Sequence, residues 1–168
     1  MANILDEIVA STRQRLKESP PSRSALERAI ESRNAPPDML ASLCRPGRRI
    51  IAEVKRRSPS AGTLAAEVVP YRRATSYEAA GAAAISVLTE PNYFGGSLQD
   101  LSDVAERIKV PCLRKDFIVE HIQLLEARAS GASSVLLIAA VCSQNQLRVL
   151  REGAESLGMH AWQASICM

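Results

Sequence analysis

The sequence predicts an α/β protein with a parallel sheet, in which strands and helices alternate along the chain. Four apolar segments that suit strands begin at intervals of roughly 23 to 34 residues, which is the size of one βα unit. Segments with the apolar spacing of a helix fill the intervals between them. Three of these helices are followed by glycine, at Gly81, Gly131 and Gly158, where a left-handed backbone can close a helix. This alternation indicates parallel strands joined by right-handed crossovers.

The first 47 residues carry helical patterns and no strand pattern. Residues 3–18 place apolar side chains on one helical face, and two consecutive prolines end this helix. Two short helices are predicted over 25–32 and 36–43. We therefore expect residues 1–47 to form an N-terminal helical extension that packs against the main body.

The main body begins at residue 48. Its strands are predicted at 49–55, 83–89, 111–117 and 134–140, and its helices at 70–80, 98–108, 120–130 and 144–157. Pro70 suits the first turn of a helix, and Ser97 and Ser143 suit N-caps. The apolar runs are nearly continuous, which is typical of strands covered on both faces.

Two architectures have this alternation of strands and helices, the open doubly wound sheet and the closed (β/α)8 barrel. An open sheet often carries a glycine-rich phosphate loop after its first strand. The segment 55–62, KRRSPSAG, matches neither G-x-G-x-x-G nor the P-loop lysine pattern. The sequence therefore favours the barrel, in which charged residues at the carboxyl ends of the strands form the active site.

Composition limits the class of protein. The chain has 168 residues, of which 46% are hydrophobic and 23% charged, as in one globular domain. A net charge of +3 is too small to indicate nucleic-acid binding, and the basic residues clustered within 45–57 suit a small anionic ligand. No apolar run reaches the roughly 18 residues of a membrane helix. None of the four cysteines forms a C-x-x-C pair, so we expect a cytoplasmic protein with reduced thiols and no membrane partner.

Charged side chains inside two predicted strands mark the candidate site. Residues two apart share a face of a strand, so Glu53 and Lys55 point to the same face as Ile51. By the same rule, Lys115 shares a face with Phe117. Burying a carboxylate or an ammonium group is costly unless it is paired. These residues therefore indicate either a structural salt bridge or an active site with Lys115 as a general acid.

Four segments of the chain resemble the indole-3-glycerol phosphate synthase family. They are IIAEVKRRSPSAG (50–62), SVLTEPNYFGGSLQDL (86–101), PCLRKDFIVEHIQLLEARASGASSVLLI (111–138) and ESLGM (155–159). EVKRRSPS and LRKDFI, in this order and spacing, are highly specific to that family. The resemblance covers about residues 3–159 and implies a (β/α)8 barrel with an N-terminal helical extension. It implies no metal and no organic cofactor.

The resemblance also implies a reaction and the residues that perform it. The reaction is closure of 1-(2-carboxyphenylamino)-1-deoxyribulose 5-phosphate to indole-3-glycerol phosphate, a carboxy-lyase step of tryptophan biosynthesis that releases CO2 and water. The implied catalytic residues are Lys115 as general acid, Lys55 as the ligand of anionic substrate groups and Glu53 as the carboxylate beside it. The implied substrate-binding residues are Ser58, Phe94, Phe117 and Leu137.

The last segment departs from the family pattern. Residues 160–168, HAWQASICM, stand where the family has a strand with a second catalytic glutamate, and Ala164 takes that position. We interpret 48–159 as the first half of a barrel, with about four to five strands of which the last is degraded, and 160–168 as a divergent tail of a C-terminally truncated chain. We expect weak stability, self-association through open sheet edges and little turnover by this chain alone. The alternatives are a related phosphate-binding barrel, such as phosphoribosylanthranilate isomerase, and a non-catalytic half-barrel that binds a partner.

Overall fold

The computed structural model describes residues 4–59, 62–63 and 69–165. The strands, listed in chain order, are β1 (Ile51–Val54), β2 (Arg57–Ser58), β3 (Gly62–Thr63), β4 (Ala84–Leu88), β5 (Cys112–Lys115), β6 (Ser134–Ile138) and β7 (His160–Ala164). Five of them form a parallel sheet in the order β1-β4-β5-β6-β7. The other two, β2 and β3, form a small antiparallel pair in the loop after β1. The parallel α/β fold predicted from the sequence is thereby confirmed.

Eight α-helices accompany the strands within the described residues. They are α1 (Ile4–Glu18), α2 (Arg23–Glu31), α3 (Met39–Leu43), α4 (Pro70–Ala79), α5 (Pro91–Phe94), α6 (Leu98–Ala105), α7 (Ile122–Ala129) and α8 (Gln144–Ser156), with a short 3-10 turn at Ala139–Val141. The predicted N-caps are confirmed, since the Ser97 and Ser143 hydroxyls accept hydrogen bonds from backbone N–H groups of the first turns of α6 and α8. The predicted glycine closures are also confirmed, because Gly81, Gly131 and Gly158 have φ angles of 91°, 88° and 74°.

The outer face of the sheet packs against the crossover helices. Ile85, Val87 and Val135 are almost fully buried on this face, in one cluster with helix residues such as Leu101 and Leu124. Apolar burial of this kind is the main stabilising contribution to the fold. These helices bury the outer face of the strands, which is one of the two faces that the continuous apolar runs predict to be covered.

Two of the N-terminal helices, α1 and α3, pack against the other face of the sheet, whereas α2 packs against α7 on the outer side. In α1, Ile8 and Val9 belong to a cluster with Phe117 and Ile138, near the carboxyl ends of the strands. Met39 of α3 is fully buried with residues nearer the amino ends, including Leu113 and Trp162. The two helices therefore cover opposite ends of the inner face.

The strand β7 continues the sheet as its fifth strand, in register with β6 from Ser134↔His160 to Ile138↔Ala164. The first part of the segment 160–168, which departs from the family pattern, therefore still pairs as a strand. His121, directly before α7, is half-buried beside Gly153 of α8, with its Nδ1 atom enclosed.

The strands β1 and β7 form the two edges of the sheet. Ile50, directly before β1, is 63% exposed, and Ile51, the first residue of β1, is 41% exposed. Such exposure is unusual for large apolar residues at a sheet edge. Over the described residues, no helix is both long enough and apolar enough to cross a membrane.

Candidate active site

The candidate site is a cluster of one carboxylate and two ammonium groups at the carboxyl ends of β1 and β5. The Nζ atom of Lys115 lies 2.5 Å from Oε2 of Glu53, and the Nζ atom of Lys55 lies 3.0 Å from Oε1. The side chains are 30% to 39% exposed, so the cluster is open to a ligand from solvent. The structure therefore brings together the three residues that the sequence predicted as catalytic.

Opposing effects act on the pKa of Glu53. Partial burial raises this pKa, while the hydrogen bonds and positive charges of Lys115 and Lys55 together lower it by more. The pKa of Glu53 therefore lies below its ordinary value, and the carboxylate stays ionised at neutral pH. One carboxylate and two ammonium groups leave one net positive charge, which favours an anionic ligand.

The cluster adjoins an apolar cavity of about 320 Å³ on the inner face of the sheet. Phe94 and Phe117 line it, with ring centroids 6.2 Å apart and planes tilted by 34°. Leu136 and Ile138 of β6 line the neighbouring wall, and Lys115 supplies the charge at the rim. A cavity with apolar walls and a few well-placed polar groups is typical of a small-molecule site.

Glu90 positions Phe94 and was not predicted from the sequence. Its side chain is 1% exposed and accepts hydrogen bonds from the backbone N–H groups of Asn92, Tyr93 and Phe94. The carboxylate thereby caps α5, the one-turn helix that ends at Phe94. The signal in the sequence was Glu-Pro directly after a strand, because proline suits the first helical position.

The outward face of β5 carries a second charged cluster, built on Arg114. This guanidinium is 1% exposed and donates five hydrogen bonds, to Thr89, the Gln123 carbonyl, Asp116 and twice to Glu126. Burial raises the pKa of Asp116. The charge of Arg114 and the hydrogen bonds to the carboxylate lower this pKa by more, so the net shift is downward. The result is an ionised, fully paired network inside the fold.

The loop after β1 holds Ser58 and fixes Arg56. Ser58 lies in β2 and is 8% exposed. Arg56 forms a two-point ion pair with Asp100, with Nη–Oδ distances of 2.5 and 2.7 Å, and also donates to the Gly95 carbonyl. Of the basic residues that the sequence analysis assigned to an anion, Arg56 thus serves to hold the loop on α6. Lys55 alone of this segment joins the carboxylate cluster.

Of the four predicted substrate-binding residues, Phe94 and Phe117 line the cavity, whereas Ser58 and Leu137 are not among its lining residues. Leu137 is 2% exposed and belongs to the core between the sheet and the crossover helices, beside a separate cavity next to α8. The register explains this placement, because Arg114 is opposite Val135, which puts Leu136 at the level of Lys115 and on its face. Leu136 therefore takes the position in the cavity that the resemblance had given to Leu137.

No group of three or more histidine, cysteine, aspartate or glutamate side chains suited to a metal ion occurs in the part of the chain that the structure describes.

Comparison with known proteins gives the family. The family model described as indole-3-glycerol phosphate synthase matches residues 5–162. The indole-3-glycerol phosphate synthase of Lacticaseibacillus paracasei is 45% identical over 162 residues, which is 94% of this chain and 62% of the relative. That of Parafrankia sp. is 50% identical over 161 residues, covering 95% and 60%, and the synthase 1 of Streptomyces coelicolor is 51% identical over 161 residues, covering 94% and 59%.

The chain thus spans about 60% of the length of these curated relatives. Its five parallel strands and their crossover helices match part of a (β/α)8 barrel, and the comparisons do not favour a phosphoribosylanthranilate isomerase. The fold, the EVKRRSPS and LRKDFI segments and the matched relatives lead to one assignment: the chain belongs to the indole-3-glycerol phosphate synthase family.

Proposed function

We propose that this site binds 1-(2-carboxyphenylamino)-1-deoxyribulose 5-phosphate and supplies the acid for its closure to indole-3-glycerol phosphate. The observation that carries the proposal is the position of two lysines on one carboxylate beside a cavity lined by two phenyl rings. The ammonium groups suit the carboxylate and phosphate of the substrate, and the rings suit its aromatic end.

The proposed steps use these groups in order. The substrate ring lies against Phe94 and Phe117 while Lys55 binds an anionic group. The ring carbon that bears the carboxylate bonds to the ketone carbon, and Lys115 donates a proton to the ketone oxygen. Loss of CO2 then returns an electron pair to the aromatic ring. Lys55 then donates a proton to the hydroxyl formed from the ketone, which leaves as water. The adjacent CH2 carbon loses a proton to the Lys115 amine left by the first step, and the C=C bond of the indole forms.

Glu53 has a positioning role in this proposal. It accepts a hydrogen bond from Lys115 Nζ at 2.5 Å and pairs with Lys55 Nζ at 3.0 Å, so it fixes both ammonium groups relative to the cavity. A lysine ammonium has three N–H donors. Among the described residues each lysine directs its polar contact to Glu53 alone, which leaves further donors for the substrate.

Substrate binding is the first test. Trp162, the single tryptophan of the chain, packs beside Leu136, and its fluorescence reports on the adjoining cavity. We expect saturable quenching by the substrate, and about tenfold or weaker binding in Lys55→Met and Lys115→Met, because charge-assisted contacts are lost. Lys109→Met is the matched control, since this exposed lysine lies remote from the cavity. Equal affinity in all four proteins would refute the proposed site.

Proton donation is tested by product formation. The turnover of this chain alone is expected to be low, so product is measured over long incubations with saturating substrate. General acid catalysis contributes typically 10² to 10⁴-fold to a rate, so we expect Lys115→Met to lower the kcat of the chain by about that factor. Glu53→Gln, which keeps a hydrogen-bond acceptor, should lower kcat less. Unchanged turnover in Lys115→Met would show that another group supplies the proton.

We also propose that copies of the chain associate through the open β1 edge of the sheet. The observation that favours it is the exposure of Ile50 (63%) and Ile51 (41%) at an edge strand. Ile51→Lys should reduce the mass measured by light scattering, because an edge charge opposes strand pairing. Val149→Lys, on a 44% exposed residue of α8, is the control. A monomer mass in the unaltered chain would contradict this proposal.

A further inference from the structure

A polar cavity of about 320 Å³ lies at the end of the sheet opposite to the Glu53 cluster. Its walls come from the linker between α2 and α3, with Arg33 and Asn34, and from Ala105, Arg128 and Gly131 near the ends of α6 and α7. These helix ends lead into the strands, so the cavity is at the amino ends of the strands. Among the described residues that line it, none is acidic.

Arg128 is the buried charge of this cavity. Arg128 is 6% exposed, and its Nη2 atom donates a hydrogen bond to the Asn34 carbonyl at 2.8 Å. Across the described parts of the chain, its guanidinium has no other hydrogen bond and no ion pair. A guanidinium has five N–H donors. Arg114, which is 1% exposed, donates five hydrogen bonds, whereas Arg128 donates one.

Arg33 adds a second positive charge to the same wall. Its Nε donates to the Ala129 carbonyl at 2.5 Å and its Nη2 to the Ser102 hydroxyl at 2.9 Å. Glu106 lies 3.5 Å from Nη2, but Glu106 is exposed and is not part of the cavity wall. Burial and then the charge of Arg33 lower the pKa of Arg128. The protein itself therefore places no counter-charge on Arg128, although its ionised form needs one.

Gly131 allows Arg33 to pack closely against the end of α7. It has a φ of 88°, and a Cβ atom there would lie 3.0 Å from Arg33 Nη1 and 2.7 Å from Ala105 Cβ. Any other residue at this position would therefore displace the Arg33 guanidinium. The glycine that closes α7 thus also fixes where Arg33 lies in the cavity wall.

We propose that this cavity binds the phosphate group of a small phosphorylated metabolite, or free phosphate, between Arg128 and Arg33. Planar guanidinium groups bind phosphate oxygens with paired hydrogen bonds, and an oxyanion supplies the acceptors and the charge that Arg128 lacks. The bound group would connect the α2–α3 linker to α7 and so fasten the N-terminal helices to the sheet. This site is separate from the proposed substrate site and does not depend on it.

The test is a titration of the intact chain with inorganic phosphate at constant ionic strength, followed by NMR. We expect saturable shifts of the Arg128 Nε–H and Gly131 amide signals. The Lys115 amide reports any separate binding at the Glu53 cluster. Glycerol 3-phosphate and glycerol then separate the two sources: tighter binding of the former than of phosphate indicates a metabolite, equal binding indicates free phosphate, and glycerol should not bind.

Arg128→Lys is the decisive variant, because it keeps a cation and a donor for Asn34 but loses the planar pair of donors. We expect binding at Gly131 to weaken by about tenfold or more. Arg23→Met, on an exposed arginine of α2, is the control and should leave binding unchanged. Shifts at Gly131 that do not saturate, or that are the same in Arg128→Lys, would overturn the proposal.

Discussion

The strand β5 carries charged residues on both faces, and the two clusters they build differ in burial and in hydrogen bonding. Arg114 on the outward face is 1% exposed and has all of its donors bonded to the protein. Lys115, the next residue, is 39% exposed along its side chain and contacts Glu53. Two adjacent residues of similar chemistry therefore have opposite surroundings, because successive side chains of a strand point to opposite faces.

This difference distinguishes a cluster that stabilises the fold from a cluster that can bind a ligand. A network whose donors are all used by the protein has no capacity left for a ligand, and its loss would expose buried charges without partners. A cluster at the mouth of a cavity, with donors to spare and one net positive charge, is suited to bind an anion. The outward network stabilises the segment that carries Lys115 and Phe117, and the inward cluster acts on the ligand.

Removing the central guanidinium should have the largest effect on stability. Arg114→Met leaves the carboxylates of Asp116 and Glu126 buried without their partner, so we expect a loss of about 3–5 kcal/mol in the free energy of unfolding. Urea denaturation measures it. Arg148→Met is the control, since its pair with Glu152 is exposed and should contribute less than about 1 kcal/mol. Similar losses in both variants would erase the contrast between buried and exposed charge.

Protonation of Asp116 should lower the stability of the fold in acid. Its folded-state pKa lies below the ordinary value of 3.8, so the stability it contributes is present above that pH and is lost as the pH falls through the folded-state pKa. We expect the free energy of unfolding to decrease as the pH falls below about 4. Asp116→Asn should be less stable at neutral pH, by about 1–3 kcal/mol, and should show a smaller decrease in acid. An equally steep decrease in Asp116→Asn would assign the effect to other carboxylates.

The cap of α5 tests whether the residues that stabilise this helix also position Phe94 in the cavity. Glu90→Ala removes the acceptor for three backbone N–H groups, and we expect a loss of about 1–2 kcal/mol in stability. Because Phe94 ends this helix, substrate binding should weaken as well. Asp38→Ala, which removes an exposed cap of α3 away from the cavity, should lower stability without changing affinity. If Asp38→Ala changed the affinity as much as Glu90→Ala does, the effect of Glu90 on substrate binding could not be assigned to the position of Phe94.

The smallest effect on stability is expected at the inward cluster. Glu53→Gln removes a half-buried charge whose partners remain hydrated, so the free energy of unfolding should change by less than about 1 kcal/mol. The affinity for substrate should change more than the stability does. A loss of stability as large as that of Arg114→Met would show that the inward cluster is structural.

The sequence predicted the sheet and the cluster well, because both follow from periodicity. Alternation along 49–55 and 111–117 predicted which strand face carries Glu53 and which carries Lys115, and the structure pairs the two side chains at 2.5 Å on the inner face of the sheet. The strand β1 is shorter than predicted, Ile51–Val54, since the charged residues that follow turn into a loop.

The remaining features depend on contacts between distant segments. The Arg114 network joins β5 and the residue after it, the residue after β4, and α7, and no local pattern reveals which partners meet. Leu137 was assigned to the cavity through the resemblance alone, whereas the strand register places Leu136 there. The helix α5 is too short for a periodic signal, and Arg128 becomes notable only once its surroundings are known.

The most direct test of the division between support and chemistry is to map substrate binding on the backbone amides of this chain by NMR. We predict saturable shifts at Glu53, Lys115, Phe117 and Leu136, which surround the cavity, with little change at Gln123 and Glu126 behind the sheet. Largest shifts at Gln123 and Glu126, or no saturable shift anywhere, would contradict the account.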